Sequence, residues 1–268
     1  MRIGWLADPP GPIIGGAELS EELLRRNAPG WAEVVYCPPD QVVDCDAYVV
    51  HNCVRYQGIL PLLRRRPVIR WVHDYWPHGD PELREWTLQN ARVAIFDSEP
   101  HYRAFPYPVG TRVKFCPEPM DLAPFVRAGQ VASEDVGERG VPLRSGVFWM
   151  GQMFAHKGVA EAVRWAEQNG PVDFYGDGPQ RPVQSPNVRY LGQAPYEWVP
   201  DIMARYESFL HLPQWVEPFG RTVIEAAAAG CKLIVNDRVG AMWWLENEPD
   251  AIEQAIPRFW KIVKDALQ

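Results

Sequence analysis

The 268-residue chain lacks most of the signatures that decide a protein's class at once. It has no run of 18 apolar residues, so no helix is expected to span a membrane. The first apolar stretch is short and is cut by Asp8, which does not fit a secretion signal. Its five cysteines (37, 45, 53, 116 and 231) are odd in number and contain no C-x-x-C, and several lie in or beside apolar runs. That usage reads as buried, reduced thiols in a cytoplasmic protein. Positive charge is in deficit: 27 Lys and Arg stand against 34 Asp and Glu, a net charge of −7 that argues against a nucleic-acid partner. The largest basic cluster, Arg64-Arg65-Arg66 with Arg70 nearby, falls between a helical stretch and a strand and reads as a solvated helix end. No G-x-G-x-x-G follows the expected first strand of either half, which removes the usual nicotinamide or flavin fingerprint. There is no G-x-x-x-x-G-K-[ST], no G-x-S-x-G, no H-E-x-x-H and no paired Cys/His spacing, so no NTPase loop, nucleophile elbow or metal site is expected.

What the chain does contain is alternation. Short apolar strands are expected at Ile3–Ala7, 34–36, 47–50, 68–72, 93–96 and 113–115, with helices at about 17–29, 55–63, 81–90 and 99–104 between them. A second series has strands at 146–150, 172–175, 188–191, 208–212 and 231–235, with helices at 158–168, about 196–205, 218–229 and 250–267. Strands alternating with helices make parallel sheets covered on both faces. The chain is long enough for two compact domains of roughly 120 residues. We expect an α/β protein of two Rossmann-like, doubly wound domains facing across a cleft: residues 1–126, a linker at 127–144 rich in Gly, Glu, Arg and Val, and residues 145–268, the last helix able to pack back on the first domain.

The stretch from Pro213 to Asn236 organises this reading. Pro218 suits a first helical position and Gly230 a C-terminal stop. Glu217 then stands at the helix start and Glu225 eight residues on, about 12 Å along the axis. The open N–H groups of Phe219, Gly220 and Arg221 lie between them, where a helix start favours a phosphate. Such an element can hold a sugar, a diphosphate and a ribose in sequence. The same spacing also fits an amphipathic helix with two solvated acids. Other polar residues gather at strand ends, where ligands bind in open parallel sheets: Gly15-Gly16, His51-Asn52, His73-Asp74, Gly151 and Gly176-Asp177-Gly178. Lys157 opens the next helix after Gly151, where a cation opposes the helix dipole unless an anion sits beside it. Asp44-Cys45-Asp46 forms a D-x-D, but at the amino end of its strand, away from the ligand edge. Trp76, Trp215, Trp243 and Trp244 are candidates to line a sugar site, with core packing as the other use of a tryptophan.

Five of these features together resemble the retaining, nucleotide-sugar-dependent glycosyltransferases of the GT-B fold, the group 1 family. E-P-F-G-R-T-V-I-E-A-A-A-A-G (Glu217 to Gly230) is similar to the family's E-x7-E helix. G-Q-M-F-A-H-K-G (Gly151 to Gly158) resembles its G-R-x-x-x-x-K-G loop, F-Y-G-D-G-P its G-x-G-P turn, G-G-A-E its first glycine loop and W-V-H-D its histidine strand end. The resemblance implies Glu217, Lys157 and His73 as catalytic residues. It implies Gly15, Gly16, Gln152, Gly176, Pro218, Phe219, Gly220, Arg221 and Glu225 as donor-binding. In this pattern Glu217 meets the donor sugar, Glu225 the ribose, Lys157 the diphosphate and His73 the transferring sugar. The implied reaction moves a sugar from a UDP-, GDP- or ADP-sugar to a sugar, glycan or lipid-linked acceptor with retention, without a metal or other cofactor. Gln152 departs from the pattern, since it stands where the family has arginine, and Arg221 is the expected substitute. A catalytically weak nucleotide-sugar-binding protein and a sugar-nucleotide epimerase of the same fold are the alternative readings.

Overall fold

The computed structural model describes residues 1–9, 15–51, 53–75, 79–134 and 144–268. They fall into two compact units, Met1–Met120 with Trp243–Gln268, and Asp121–Met242.

The first unit runs β1 (Arg2–Leu6), α1 (Gly16–Arg26), β2 (Glu33–Tyr36), β3 (Ala47–Val50), α2 (Leu60–Leu63), β4 (Val68–Val72), α3 (Pro81–Asn90), β5 (Val93–Phe96), α4 (Glu99–Ala104) and β6 (Val113–Phe115). Its six strands are parallel in the order β2-β1-β3-β4-β5-β6. β3 (AYVV) and β5 (VAIF) are buried at every residue, as strands covered on both faces must be. α3 starts where expected because Asp80 accepts hydrogen bonds from the Glu82 and Leu83 amides and Pro81 takes the first helical position. α2 is shorter than the expected 55–63. Gly58 sits at φ +67°, outside the helical region, and Pro61 fits the first turn of the helix that starts after that glycine.

The second unit runs α5 (Ala123–Glu134), β7 (Val147–Met150), α6 (Val159–Asn169), β8 (Val172–Tyr175), β9 (Val188–Gly192), α7 (Val199–Ala204), β10 (Ser208–His211), α8 (Arg221–Ala228) and β11 (Lys232–Val235), and ends within α9 (Gly240–Asn247), whose residues from Trp243 on belong to the first unit. Its five parallel strands lie in the order β11-β10-β7-β8-β9. The sequence therefore reverses direction across the sheet between β7 and β10, and the loops after those two strands flank the crevice where such sheets bind ligands.

The expected linker at 127–144 is corrected in its first part. Residues 127–134 belong to α5, where Gly129 is buried and a Cβ added to it would come within 2.7 Å of the Ala229 carbonyl oxygen. That glycine serves a close helix contact rather than a loose chain, while 135–143 lie outside the described residues. A short 3-10 turn, Tyr196–Trp198, precedes α7 within the expected 196–205 helix. α9 was not expected at all. The expected final helix is two pieces, α10 (Asp250–Glu253) and α11 (Ala255–Leu267), because Pro257 is tolerated only in a first turn and so forces a new start. α11 belongs to the first unit. It buries Phe259, Trp260 and Val263 among Trp5, Trp71 and Ile69, and the Trp260 indole N–H donates to the Leu24 carbonyl at 3.1 Å. Each such large side chain contributes roughly 1.5–3 kcal/mol.

Candidate functional site

In the second unit the chain from Glu217 to Phe219 is not helical: Glu217 bridges to Val239 and Pro218 lies in a bend. The Glu217 amide donates to the Arg238 carbonyl (2.7 Å), and the Gly240 and Ala241 amides donate back to Glu217 (3.0 Å) and Phe219 (2.7 Å). Pro218 is therefore not the first residue of α8, and the helix starts instead after Gly220, whose φ of +96° only glycine adopts readily. The open amides at that end begin with Arg221, so Phe219 and Gly220 are not helix-start donors. The other end matches its expectation. The Gly230 amide donates to Ala227 and the Cys231 amide to Ala226, with Gly230 at φ +86° closing the helix.

Glu217 is buried at the switch point, and two basic side chains from other elements meet it. Lys157, in the 3-10 turn Ala155–Lys157 after β7, pairs with Oε1; His211, the last residue of β10, pairs through Nε2 with Oε2. Gly158 makes the first contact possible. It sits at φ +77°, and a Cβ there would run into the Leu212 carbonyl, so the Lys157 turn lies directly on the end of β10. Burial alone would push the Glu217 carboxyl up. Lys157 and His211 outweigh it and hold the group far below the usual carboxylate range. His156 next door is lowered, by burial first and by Lys157 second, and packs on Phe154 and Trp215.

Glu225 lies on α8, buried, with the Tyr196 hydroxyl donating to Oε1 at 3.0 Å and the Arg221 guanidinium 3.8 Å from the same oxygen. Burial and the Glu225 charge push the Tyr196 hydroxyl up to about 12. Arg221 and Glu225 are thus brought together on one helix face. Gln152 is exposed in the loop after β7. Gly176 lets two loops touch backbone to backbone: a side chain there would strike the Gly151 carbonyl, and the Gly151 amide donates to Tyr175 at 3.1 Å.

The first unit gathers a different set at its own strand ends. His73, after β4, lies against Trp71 (ring centroids 4.1 Å apart) and edge-on to His51 (4.3 Å). Its Nδ1 is 3.3 Å from Asp97 Oδ2, after β5, and 3.8 Å from Glu118 Oε1, after β6. The Trp71 indole N–H donates to the other Asp97 oxygen (3.1 Å), and the Ser20 hydroxyl donates to Glu118 Oε2 (3.1 Å). Burial and the nearby Glu118 charge push the Asp97 carboxyl well above the usual range, and burial drives His101, 3.9 Å from Asp97, down to about 3. His73, Asp97 and Glu118 bring three donor atoms within 4.8 Å of one another, the grouping among the described residues that could hold a cation. His51 Nδ1 lies 3.4 Å from Glu21 Oε2 on α1. Gly15 caps α1 and Gly16 is its first residue, but the loop before them and Asn52 lie outside the described residues.

Three of these side chains escaped the sequence reading: His211, Asp97 and Glu118. Their one available signal was position at a strand's carboxyl end. Trp244 is core: it is fully buried, and its indole N–H donates to the Asp97 carbonyl at 2.6 Å. Trp243 packs on Phe115, and Trp76 lies outside the described residues. The D-x-D is spent structurally, with Asp44 on Arg66 (2.8 Å) and Asp46 accepting the Arg2 amide (2.7 Å). All five cysteines are free and buried, and no helix among the described residues is long and apolar enough to cross a membrane.

No protein-family model matches the chain, and no curated protein matches it. Solved structures do. HepE of Anabaena, in complex with UDP and glucose, is 18% identical with a TM-score of 0.63, over 90% of this chain and 82% of that one. The sucrose-phosphate synthase of Thermosynechococcus elongatus is 15% identical (TM-score 0.66, 99% of this chain and 90% of that one). The UDP-forming trehalose-phosphate synthase of Burkholderia xenovorans, in complex with glucose-6-phosphate, is 11% identical (TM-score 0.66, 96% and 92%). Two all-parallel α/β units with these neighbours give the chain the fold of the GT-B glycosyltransferases.

Proposed function

We propose that the protein is a glycosyltransferase that takes a sugar from a nucleoside diphosphate sugar and transfers it, with retention, to a sugar, glycan or lipid-linked acceptor in the cytoplasm. The observation that carries this reading is the buried Glu217 carboxylate held by Lys157 at the switch point of the second sheet. A neighbour of the same fold binds UDP and glucose, so a UDP-sugar is the first donor to test.

In this reading Lys157 stabilises the diphosphate as the bond from anomeric carbon to phosphate oxygen breaks. Charge development there is where a fixed cation acts most strongly. The acceptor oxygen attacks the face the diphosphate leaves, and a phosphate oxygen takes the acceptor's proton. Glu217 orients the donor sugar, Glu225 the ribose, and His73 meets the transferring sugar. The remaining donor contacts fall to Gly15, Gly16, Gly176 and the Pro218–Arg221 segment, with Arg221 standing in for the charge that Gln152 lacks. No metal is needed at the diphosphate. The exposed, uncharged Gln152 favours a second reading, a protein that binds the nucleotide sugar and turns it over slowly or not at all. The test is a thermal-shift and turnover panel of UDP-, GDP- and ADP-sugars. Binding with transfer that disappears in Glu217→Gln and Lys157→Ala supports the enzyme. Binding without transfer, restored by Gln152→Arg, supports the second reading.

A further inference from the structure

The pairing of Glu217 with His211 has a consequence for how the donor binds, and it rests on the donor-site reading above. The carboxylate is only 6% exposed, and each of its oxygens has its own partner. The two partners differ in access. The Lys157 side chain is 23% exposed, whereas that of His211 is 3% exposed and wedged beside Phe209 and Trp149. An anion arriving from solvent meets Lys157 first. His211 is held in place as the last residue of β10, paired with Val235 of β11.

We infer that His211 is a positioning residue for Glu217, and that the His211–Glu217 pair takes up a proton when a nucleoside diphosphate sugar binds. The physical reason is charge balance. With the site empty, the Lys157 ammonium pairs with one oxygen of Glu217 and His211 holds the other. A bound diphosphate adds two negative charges and shares or draws away Lys157. A buried carboxylate left beside new negative charge favours any bound proton on the pair. The proton belongs to the pair rather than to either residue alone. The charged and titratable groups facing the pair are Lys157, from the turn after β7, and His156 beside it, which senses both Lys157 and Glu217. His211 then keeps Glu217 aimed at the sugar while Lys157 serves the diphosphate.

The experiment is calorimetric titration of the full chain with UDP-glucose, GDP-mannose and ADP-glucose near pH 7, in two buffers of different ionisation enthalpy. Nucleotide sugars are used because their phosphates carry no proton to exchange near neutrality. The wild-type protein should take up between half a proton and one proton per donor bound, so its affinity weakens with rising pH by up to about tenfold per unit. His211→Gln, which keeps an N–H donor but cannot titrate, should bind the donor with no proton uptake, and His156→Gln should retain it. A merely structural histidine would alter affinity without altering the proton count. Buffer-independent binding in the wild type, or uptake that survives in His211→Gln, overturns the inference. If His211→Gln does not fold, His211→Asn serves the same comparison, and if neither folds, buffer-independent binding by the wild type, or loss of its proton uptake in His156→Gln, overturns the inference. If no nucleotide sugar binds, the donor-site reading itself fails and the inference falls with it, a result distinct from binding without proton uptake.

Discussion

Two buried carboxylates, one in each unit, stand at the carboxyl edge of their sheets and are shifted in opposite directions. Glu217 follows β10 and is held far below the usual range; Asp97 follows β5 and is pushed well above it. Burial is common to both, so burial does not decide the outcome. The neighbours do: Glu217 has Lys157 and His211 on its two oxygens, whereas Asp97 has the Glu118 carboxylate nearby and an indole N–H that lowers it only in part. A carboxylate kept ionised beside a cation is suited to charged ligands. One pushed toward its neutral form is suited to holding a histidine such as His73 in place.

The largest effects should come from making the two sites alike. Lys157→Ala removes the cation from Glu217 and should lower transfer by at least a hundredfold, about 2.7 kcal/mol or more in the barrier, read as kcat/KM. Glu217→Gln should lower stability at pH 7–8 by about 2–3 kcal/mol, somewhat less than the roughly 3–5 kcal/mol for breaking a fully buried pair, because Lys157 is partly solvated. Its sign follows from the depressed carboxyl. The stabilisation is complete above the unfolded value of about 4.3 and fades as pH falls below it. The melting-temperature gap between the variant and the wild type should therefore close on acidification below about pH 4.

Asp97→Asn should behave oppositely. A raised carboxyl opposes folding once pH exceeds the unfolded value of about 3.9. In chelator-treated protein the variant should melt at or above the wild-type temperature at pH 8, with the difference vanishing near pH 3. A marked loss of stability at pH 8 would break the comparison. Gly158→Ala should fall in between. It strains a left-handed backbone and meets the Leu212 carbonyl, so it should destabilise by more than 1 kcal/mol and weaken donor affinity by displacing Lys157. Tyr196→Phe should have the smallest effect, about 1 kcal/mol or less for one hydrogen bond to Glu225, read as a few-fold change in donor affinity.

The strands of both sheets were legible because each is a short apolar run ended by polar residues, and the loops at those ends were legible as ligand edges. Lys157 and Glu217 were assigned to one site only through a family pattern, and their direct contact was not foreseen, since 60 residues separate them. The non-helical course of Glu217–Phe219 was not legible. Pro218 suits a helix start by local rules, and only the distant 238–241 backbone overrides them. α5 was missed because Gly129 reads locally as a breaker while it serves a contact with Ala229. His211, Asp97 and Glu118 were hidden for a similar reason. Each is ordinary at its own strand end and acquires meaning from a partner brought near by the fold, 6 residues away for His211 but far along the chain for the two acids.

The central claim is that the Lys157–Glu217 pair marks the donor nucleotide site. The most direct measurement is calorimetric titration of the wild-type protein and Lys157→Ala with UDP-glucose, GDP-mannose and ADP-glucose. At 100 times its Kd a bound donor also stabilises the fold by about 2.7 kcal/mol, which a parallel melting curve reads independently. The account predicts that at least one nucleotide sugar binds the wild type and binds Lys157→Ala at least tenfold more weakly. Equal affinity for the two proteins would contradict it.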